Sequence, residues 1–252
     1  MSLKDTIRAH QKNLPISSRH EKWLTENVEP KYSERAIIFA KGQLEGITGS
    51  QRIRQKMFRA SNAHVCFRKQ IFAIIGIEKK EEIESKLSNI FATGNFLHLK
   101  WQMQGLTEGW LLDAEVPVDR PEIRAGGTMD GVLHTLGGFE FKSINDRGFA
   151  SVMTYGPKPE HIGQVHNYMF LGNLDHFSVV YENKNTGEWR EFLVPADDRL
   201  LEEAEEGFRD LNGYLDNKVL PKTRSECEEQ TGFVYRGCPY RHMCLDTKEW
   251  PK

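Results

Sequence analysis

The stretch IRAGGTMDGVLHTLGGFEFKSI, residues 123–144, decides the fold. Two strand-like runs, 123–133 and 138–144, flank a short HTLGG turn, the pattern of an antiparallel hairpin. Side chains alternate along a strand, so Glu140 and Lys142 share one face while Phe139 and Phe141 occupy the other. Asp130 lies on the preceding strand, where hairpin pairing brings it near Glu140. Two carboxylates that close repel each other, and a divalent cation relieves the repulsion. Taken alone, the E-x-K triplet is also the pattern of two ordinary charges on an exposed strand.

Working outward, WLLDAEVPV (110–118) reads as a further strand, and the lone Glu115 on it is either a support for the acidic site or simply exposed. A helix is expected around 161–171. FSVVYEN and EWREFLV, separated by KNTG, form a second hairpin. From Asp197 to about Asp216 the sequence predicts an amphipathic helix, with Leu200, Leu201, Ala204, Phe208, Leu211 and Leu215 as its apolar stripe. Upstream, helices are expected over 51–75 and 79–104, the second with Ile83, Leu87, Ile90 and Phe91 at helical spacing. On it Gly94 and His98 sit four apart, on one face. Residues 1–50 read as a polar, irregular or helical N-terminal extension, broken at Pro15 and Pro30, with Gly46 and Gly49 near a linker. The order of elements predicts an α/β architecture, a central mixed β-sheet flanked by helices. The 21 residues between Lys142 and Gln164, with GFASVMTYGPKPEH among them, read as a surface loop or a flap. Phe149 and Tyr155 could stack on bases from such a flap.

The 252 residues, 38% hydrophobic and 28% charged, exclude fibrous, disordered and membrane classes. No apolar run approaches the roughly 18 residues of a membrane span, and the N-terminus has no apolar signal core; a cytoplasmic location is expected, the host cytoplasm if the protein is viral. The net charge of −2 neither suggests nor excludes a nucleic-acid partner. Arg52, Arg54, Lys56, Arg59, Arg68 and Lys69 form a basic span, either a solvated face or a phosphate contact. Without a secretory signal, Cys66, Cys227, Cys238 and Cys244 are expected as reduced thiols or metal ligands rather than disulfides. CPYRHMC (238–244) sets a close pair in a polar tail.

The order GGTMD…GFEFK resembles the signature of the PD-(D/E)XK nuclease superfamily. QVHNY on the next helix, with Gln164 and Tyr168 one turn apart, is similar to the Q-x-x-x-Y motif of its RecB-like branch, and GNFLH is similar to that branch's G-x-x-x-H helix. The resemblance spans roughly residues 60–245. It implies a restriction-endonuclease-like core in a domain over 51–252, and phosphodiester hydrolysis on Mg²⁺ or Mn²⁺. Metal ligands would be His98, Asp130, Glu140 and the carbonyl of Phe141. Lys142 would orient or deprotonate the attacking water or neutralise developing charge, and Gln164 and Tyr168 would hold the phosphate or adjacent backbone. Those residue types suit the chemistry, which needs an attacking water and relief of charge on the phosphoryl oxygens.

One cysteine before the nuclease core and three after it resemble the iron–sulfur exonucleases of the CRISPR-associated and AddB type. That likeness implies a [4Fe-4S] cluster on Cys66, Cys227, Cys238 and Cys244, tying the C-terminal tail to the Cys66 segment. The spacing departs from the usual C-x2-C-x5-C trio: ten residues separate Cys227 from Cys238, and Tyr235 stands where a cysteine is expected. Zinc, with His242 as a mixed ligand, is the alternative. The expected activity is exonucleolytic, on single-stranded DNA or DNA ends. An endonuclease of the same superfamily and a nucleic-acid-binding module that does not cut remain as alternatives; oligomeric state is not assigned.

Overall fold

The computed structural model describes residues 3–11, 14–27, 31–45, 57–61, 65–80 and 85–251. In chain order the elements are α1 (Leu3–His10), α2 (Ser17–Glu26), α3 (Glu34–Leu44), β1 (Phe58–Arg59), α4 (Phe67–Ile74), α5 (Ser85–Glu108), β2 (Leu111–Arg120), β3 (Ala125–Leu133) and β4 (Gly138–Ile144). They continue with α6 (Asp146–Tyr155), α7 (Pro159–Gly172), β5 (His176–Asn183), β6 (Trp189–Pro195), α8 (Asp198–Asp216) and three short tail helices, α9 (Ser225–Glu228), α10 (Gly232–Arg236) and α11 (Arg241–Cys244). The architecture is a mixed α/β fold. None of its helices, among the described residues, is long and apolar enough to cross a membrane.

The strands form one mixed sheet in the order β1-β3-β4-β5-β6, with β2 paired antiparallel along β3. The β3–β4 hairpin is antiparallel, as its turn predicts, but its ladder is short: Gly131 faces Phe139 and Val132 faces Gly138. Beyond Gly131 the two strands diverge. β4 runs parallel to β5, with Glu140 beside Val179 and Lys142 beside Tyr181, and β6 closes the far edge antiparallel to β5.

Alternation along the strands divides the core in two. Phe177, Val179 and Tyr181 point to one side, where Phe58, Phe149, Val165, Tyr168 and Phe208 are buried. Phe139, Phe141 and Val180 point to the other, against Trp101, Trp110 and Leu111. The sheet therefore lies between the α4/α6/α7/α8 side and the α2/α3/α5 side. The N-terminal helices are built into both cores through Ile7 on the first side and Ile16 and Ala36 on the second. Buried Glu191 on β6 fastens the start of α2 by accepting the Ser17 N–H and hydroxyl, each at 2.8 Å, and it also accepts the Ser178 hydroxyl at 2.7 Å. The α8 stripe packs as its periodicity predicts, with Ala204, Phe208 and Leu211 buried, and Asp197 caps the helix by accepting the Leu200 N–H at 3.1 Å.

Three local expectations change. Among the described residues of 51–75, Phe67–Ile74 is helix and Phe58–Arg59 is a strand parallel to β3. Tertiary pairing overrides the helical pattern there, because the Gln70 amide accepts the Arg59 N–H at 3.0 Å and donates to the Arg59 carbonyl at 3.2 Å. Arg52, Arg54, Lys56, Gly46, Gly49, Pro30 and Ile83 lie outside the described residues. The segment read as a loop or flap contains the helix α6, whose N-terminus Asn145 caps through the Gly148 N–H at 2.9 Å. Phe149 and Val152, three apart, pack into the core, so Phe149 cannot stack on a base, whereas Tyr155 is exposed. Ile90 and Phe91, expected on an apolar helix stripe, are exposed on α5.

Candidate active site

The divergence of β3 from β4 creates the site. Past Gly131 the ladder is open, and the Phe141 N–H goes instead to a side chain, Asp130 Oδ2, at 2.7 Å. An acid is thereby fixed at the point where the sheet splits, within reach of both helical layers.

From one layer comes α5. His98 and Gln102, one turn apart, share a face. His98 Nε2 lies 2.9 Å from Asp130 Oδ2, a close ion pair rather than an aligned hydrogen bond, and its ring stacks on Phe141 with centroids 6.0 Å apart. Gln102 is buried, and its amide donates to Glu115 Oε1 at 2.8 Å and to the Asp130 carbonyl at 2.9 Å. Gly94, a turn before His98, keeps the helix close to β4: a Cβ there would meet Ser143 Oγ at 3.3 Å.

Glu115 reaches the same place from β2. Its φ is +53°, a conformation that L side chains rarely adopt, and no pair of the ladder falls between Ala114–Gly131 and Val116–Met129. Such a local irregularity in a strand re-aims a side chain and persists only where its surroundings hold it. His98, Glu115 and Asp130 each offer a ligand atom within 4.8 Å of the others, among the described residues the one such group of histidine, cysteine or carboxylate side chains.

From the other layer comes α7. Lys142 Nζ lies 2.6 Å from Glu140 Oε1 and donates to Gln164 Oε1 at 3.0 Å, while the Gln164 amide donates to Glu140 Oε1 at 2.8 Å. Acid, lysine and glutamine thus form a closed triangle. Glu140 Oε2 is left over, buried and without a hydrogen-bond partner among the described residues. The Tyr168 hydroxyl is buried and donates to the Thr128 carbonyl at 2.9 Å. Its ring lies so close to β3 that a Cβ on Gly127 would fall 2.8 Å from it.

The electrostatics register the crowding. Burial works against charge on His98, but the Asp130 carboxylate, with Glu115 and Glu140 behind it, raises the imidazole to about 9. Burial lifts Glu140 to about 7, Asp130 adds to the rise, and Lys142 opposes it. Asp130 is held below its ordinary range despite burial, by His98 and then Lys142. Lys142 is raised by Glu140 and Asp130 against its own burial. Burial also raises Glu115. Three acids in one partly closed space, balanced among the described residues by an imidazole and an amine, suit a hard divalent cation, and the Glu140 oxygen without a partner among them is a further donor for it.

Every sequence-predicted member of the constellation, Asp130, Glu140, Lys142, His98, Phe141, Gln164 and Tyr168, comes to this split in the sheet. Sequence reasoning passed over Gln102, although its spacing of four from His98 was the available signal.

The four cysteines gather elsewhere, where the tail meets the start of α4, and none forms a disulfide. Burial raises the Cys227 and Cys238 thiols and lifts Cys244 to about 11, and in each case Cys66 is among the neighbouring charges that contribute. Arg68, read as part of a basic surface span, is buried beside them.

No protein-family model matches the sequence, and no curated protein matches it. The fold is the mixed α/β fold of a solved exonuclease. The chain is similar to LHK-Exo, an alkaline exonuclease from Laribacter hongkongensis, at 20% identity over 65% of this chain and 90% of that chain, with a TM-score of 0.53. LHK-Exo in complex with dAMP aligns over the same shares, at 19% identity and the same TM-score of 0.53. At that identity the likeness establishes the fold.

Proposed function

We propose that the chain is a metal-dependent DNA exonuclease that hydrolyses phosphodiester bonds on single-stranded DNA or at DNA ends. The observation that carries this reading is the clustering of His98, Glu115 and Asp130 within 4.8 Å, beside a buried Glu140 oxygen that has no hydrogen-bond partner among the described residues and a lysine paired to the same carboxylate. A binding module has no need of such an arrangement. The exonuclease activity named for LHK-Exo, and its complex with dAMP, agree with it.

Mg²⁺ or Mn²⁺ would be held by His98, Asp130, Glu140 and the Phe141 carbonyl, with Glu115 as a further ligand or support; bound there it supplies charge neutralisation on the phosphoryl oxygens and an acidified water. The chain's own residues do the rest. Gln164 fixes the distance between Glu140 and Lys142 by bonding both, so that the ammonium is aimed at the space over Glu140 rather than free to swing. Lys142 there orients the attacking water or neutralises developing charge. Tyr168, committed to the Thr128 carbonyl, holds β3 in place two residues before Asp130.

Single-strand preference rests on α5. Phe91 lies seven residues before His98 and therefore on the same helical stripe, about 10 Å along the axis. It is 52% exposed, an unpacked ring on the stripe that carries His98 and Gln102. A splayed base can stack there, and a base paired in a duplex cannot. For the cysteine site we propose a [4Fe-4S] cluster on Cys66, Cys227, Cys238 and Cys244, which would add stability where the tail meets the Cys66 segment.

The test is cleavage of single-stranded DNA labelled at the 5′ or the 3′ end, with Mg²⁺ or Mn²⁺, comparing wild type with Glu140→Ala. Metal-dependent loss of one label, absent in the variant, is expected. Equal cutting of a circular single strand would turn the assignment to an endonuclease, and binding without cutting would overturn the enzymatic reading.

A further inference from the structure

The cysteine-bearing tail is fastened to α4 and its flanks by contacts that involve no sulfur, and each tail cysteine has one beside it. Arg68, in the first turn of α4 two residues after Cys66, donates from one terminal nitrogen to the Pro221 carbonyl at 2.9 Å. Its other terminal nitrogen donates to the Cys244 carbonyl at 3.0 Å and to the Thr247 carbonyl. In return Arg224 donates to the carbonyl of Val65, the neighbour of Cys66, and pairs with Glu226, the neighbour of Cys227, at 2.9 Å. Beside Cys238, the Pro239 carbonyl accepts the Lys80 N–H at 3.0 Å, and the buried Tyr240 ring meets Phe72 edge-on with centroids 5.5 Å apart.

Arg68 is the unusual member. It is only 7% exposed, its charge lies 5.5 Å from the Phe72 ring, and its Nε has no hydrogen-bond partner among the described residues. Among those residues, too, its acceptors are carbonyls and no carboxylate lies within 4.0 Å. Carbonyl dipoles satisfy the two terminal nitrogens but leave a whole positive charge buried without a counter-ion among the described residues, an arrangement that proteins avoid. Four cysteine ligands at an iron–sulfur cluster or a zinc ion are thiolates and leave the centre net negative. The cation beside Cys244 thus has the sign and the place of its missing partner.

We propose that Arg68 is the positioning residue of the cysteine site: it docks the tail before any metal is bound, and its charge balances the thiolate centre that forms there. The identity of that centre as a [4Fe-4S] cluster rests on the function proposed above; the docking does not. The tail is then a preassembled socket, and loss of the cluster leaves it in place.

The test uses the full-length chain as wild type, Arg68→Met and Arg68→Lys. After reconstitution with ferrous iron and sulfide, iron and acid-labile sulfide per chain and the rate of bleaching by a chelator are measured. Arg68→Met is expected to retain several-fold less iron and to bleach at least tenfold faster, with Arg68→Lys, which keeps the charge but not the fork, in between. In the same proteins stripped of metal, Cys238 and Cys244 should be alkylated slowly in wild type and at least tenfold faster in Arg68→Met, with unchanged circular dichroism. Wild-type alkylation and bleaching rates in Arg68→Met would overturn the proposal. Wild type that takes up no iron and sulfide, yet whose thiols are unmasked by Arg68→Met, would support the docking role and remove the cluster instead.

Discussion

The split in the sheet and the cysteine tail both gather groups from distant parts of the chain, but they are unbalanced in opposite senses. At the split, among the described residues, Glu115, Asp130 and Glu140 face one imidazole and one amine, and a buried carboxylate oxygen is left without a hydrogen-bond partner. In the tail, a buried guanidinium lies among carbonyls and thiols with no carboxylate beside it among the described residues. A surplus of anions attracts a bare cation, and a surplus of positive charge favours ligands that ionise on binding metal. On the proposed reading these are two centres of different chemistry, and they should respond independently.

The sharpest way to break that picture is at the triangle. Glu140→Ala and Lys142→Ala should each lower the rate of cleavage by about 1000-fold or more, corresponding to about 4 kcal/mol of transition-state stabilisation. Circular dichroism should be unchanged, because both side chains lie on the opposite face of β4 from the Phe139 and Phe141 core. Near-normal turnover by either variant would remove these residues from the chemistry. Chelation separates the centres: brief EDTA treatment should abolish cleavage, restored by Mn²⁺ or Mg²⁺, while visible absorbance from the tail persists. Parallel loss of both signals would mean one shared metal requirement. Cys238→Ala should do the reverse, removing the visible absorbance and lowering Tm by about 5 °C, a loss on the order of 2 kcal/mol for a chain this size. An unaltered spectrum would count against the cluster.

How much of this was readable in the sequence depended on how far apart the partners lie. Asp130, Glu140 and Lys142 fall within one hairpin, so strand alternation and a tight turn were enough to place them together. Helical spacing put His98 on one face with Gly94, but only the resemblance of GNFLH to a G-x-x-x-H helix implied that His98 belongs with the acids. Glu115 was visible only as an acid on a strand, because nothing in the residue types announces a positive φ at a nonglycine position. Arg68 read as part of a solvated basic face, since the carbonyls that receive it are 153 to 179 positions away. The helix α6 was taken for a loop because only Phe149 and Val152 of its ten residues carry the buried signal. Two-residue β1 exists only through its pairing with β3, which no local pattern encodes.

Glu115 gives a finer cut within the site. If it supports the cation while Glu140 and Lys142 serve the reaction, Glu115→Gln should raise the Mn²⁺ or Mg²⁺ concentration needed for half-maximal activity by about 10- to 100-fold, as loss of a supporting carboxylate does. At saturating metal the rate should approach wild type. A reduced rate that metal cannot restore would place Glu115 with the reacting groups.

Phe91 is the smallest and most specific test, because it concerns which DNA enters rather than whether the bond breaks. The stripe of α5 that bears Gln102 and His98 continues to Phe91, yet the ring is half exposed, where an apolar side chain with no task would be replaced by a polar one at little cost to the fold. Phe91→Ala should therefore leave Tm unchanged. Loss of one stacked base is worth about 1 kcal/mol or somewhat more, so KM for a single-stranded oligonucleotide should rise about fivefold or more with little change in kcat. Phe91→Tyr and Phe91→Trp, which keep a ring, should restore it. Duplex ends, whose bases are paired, should respond less than single strands to the loss of the ring. An equal response from both substrates would mean that Phe91 touches the DNA backbone or nothing at all, and would remove the ground on which single-strand preference is proposed.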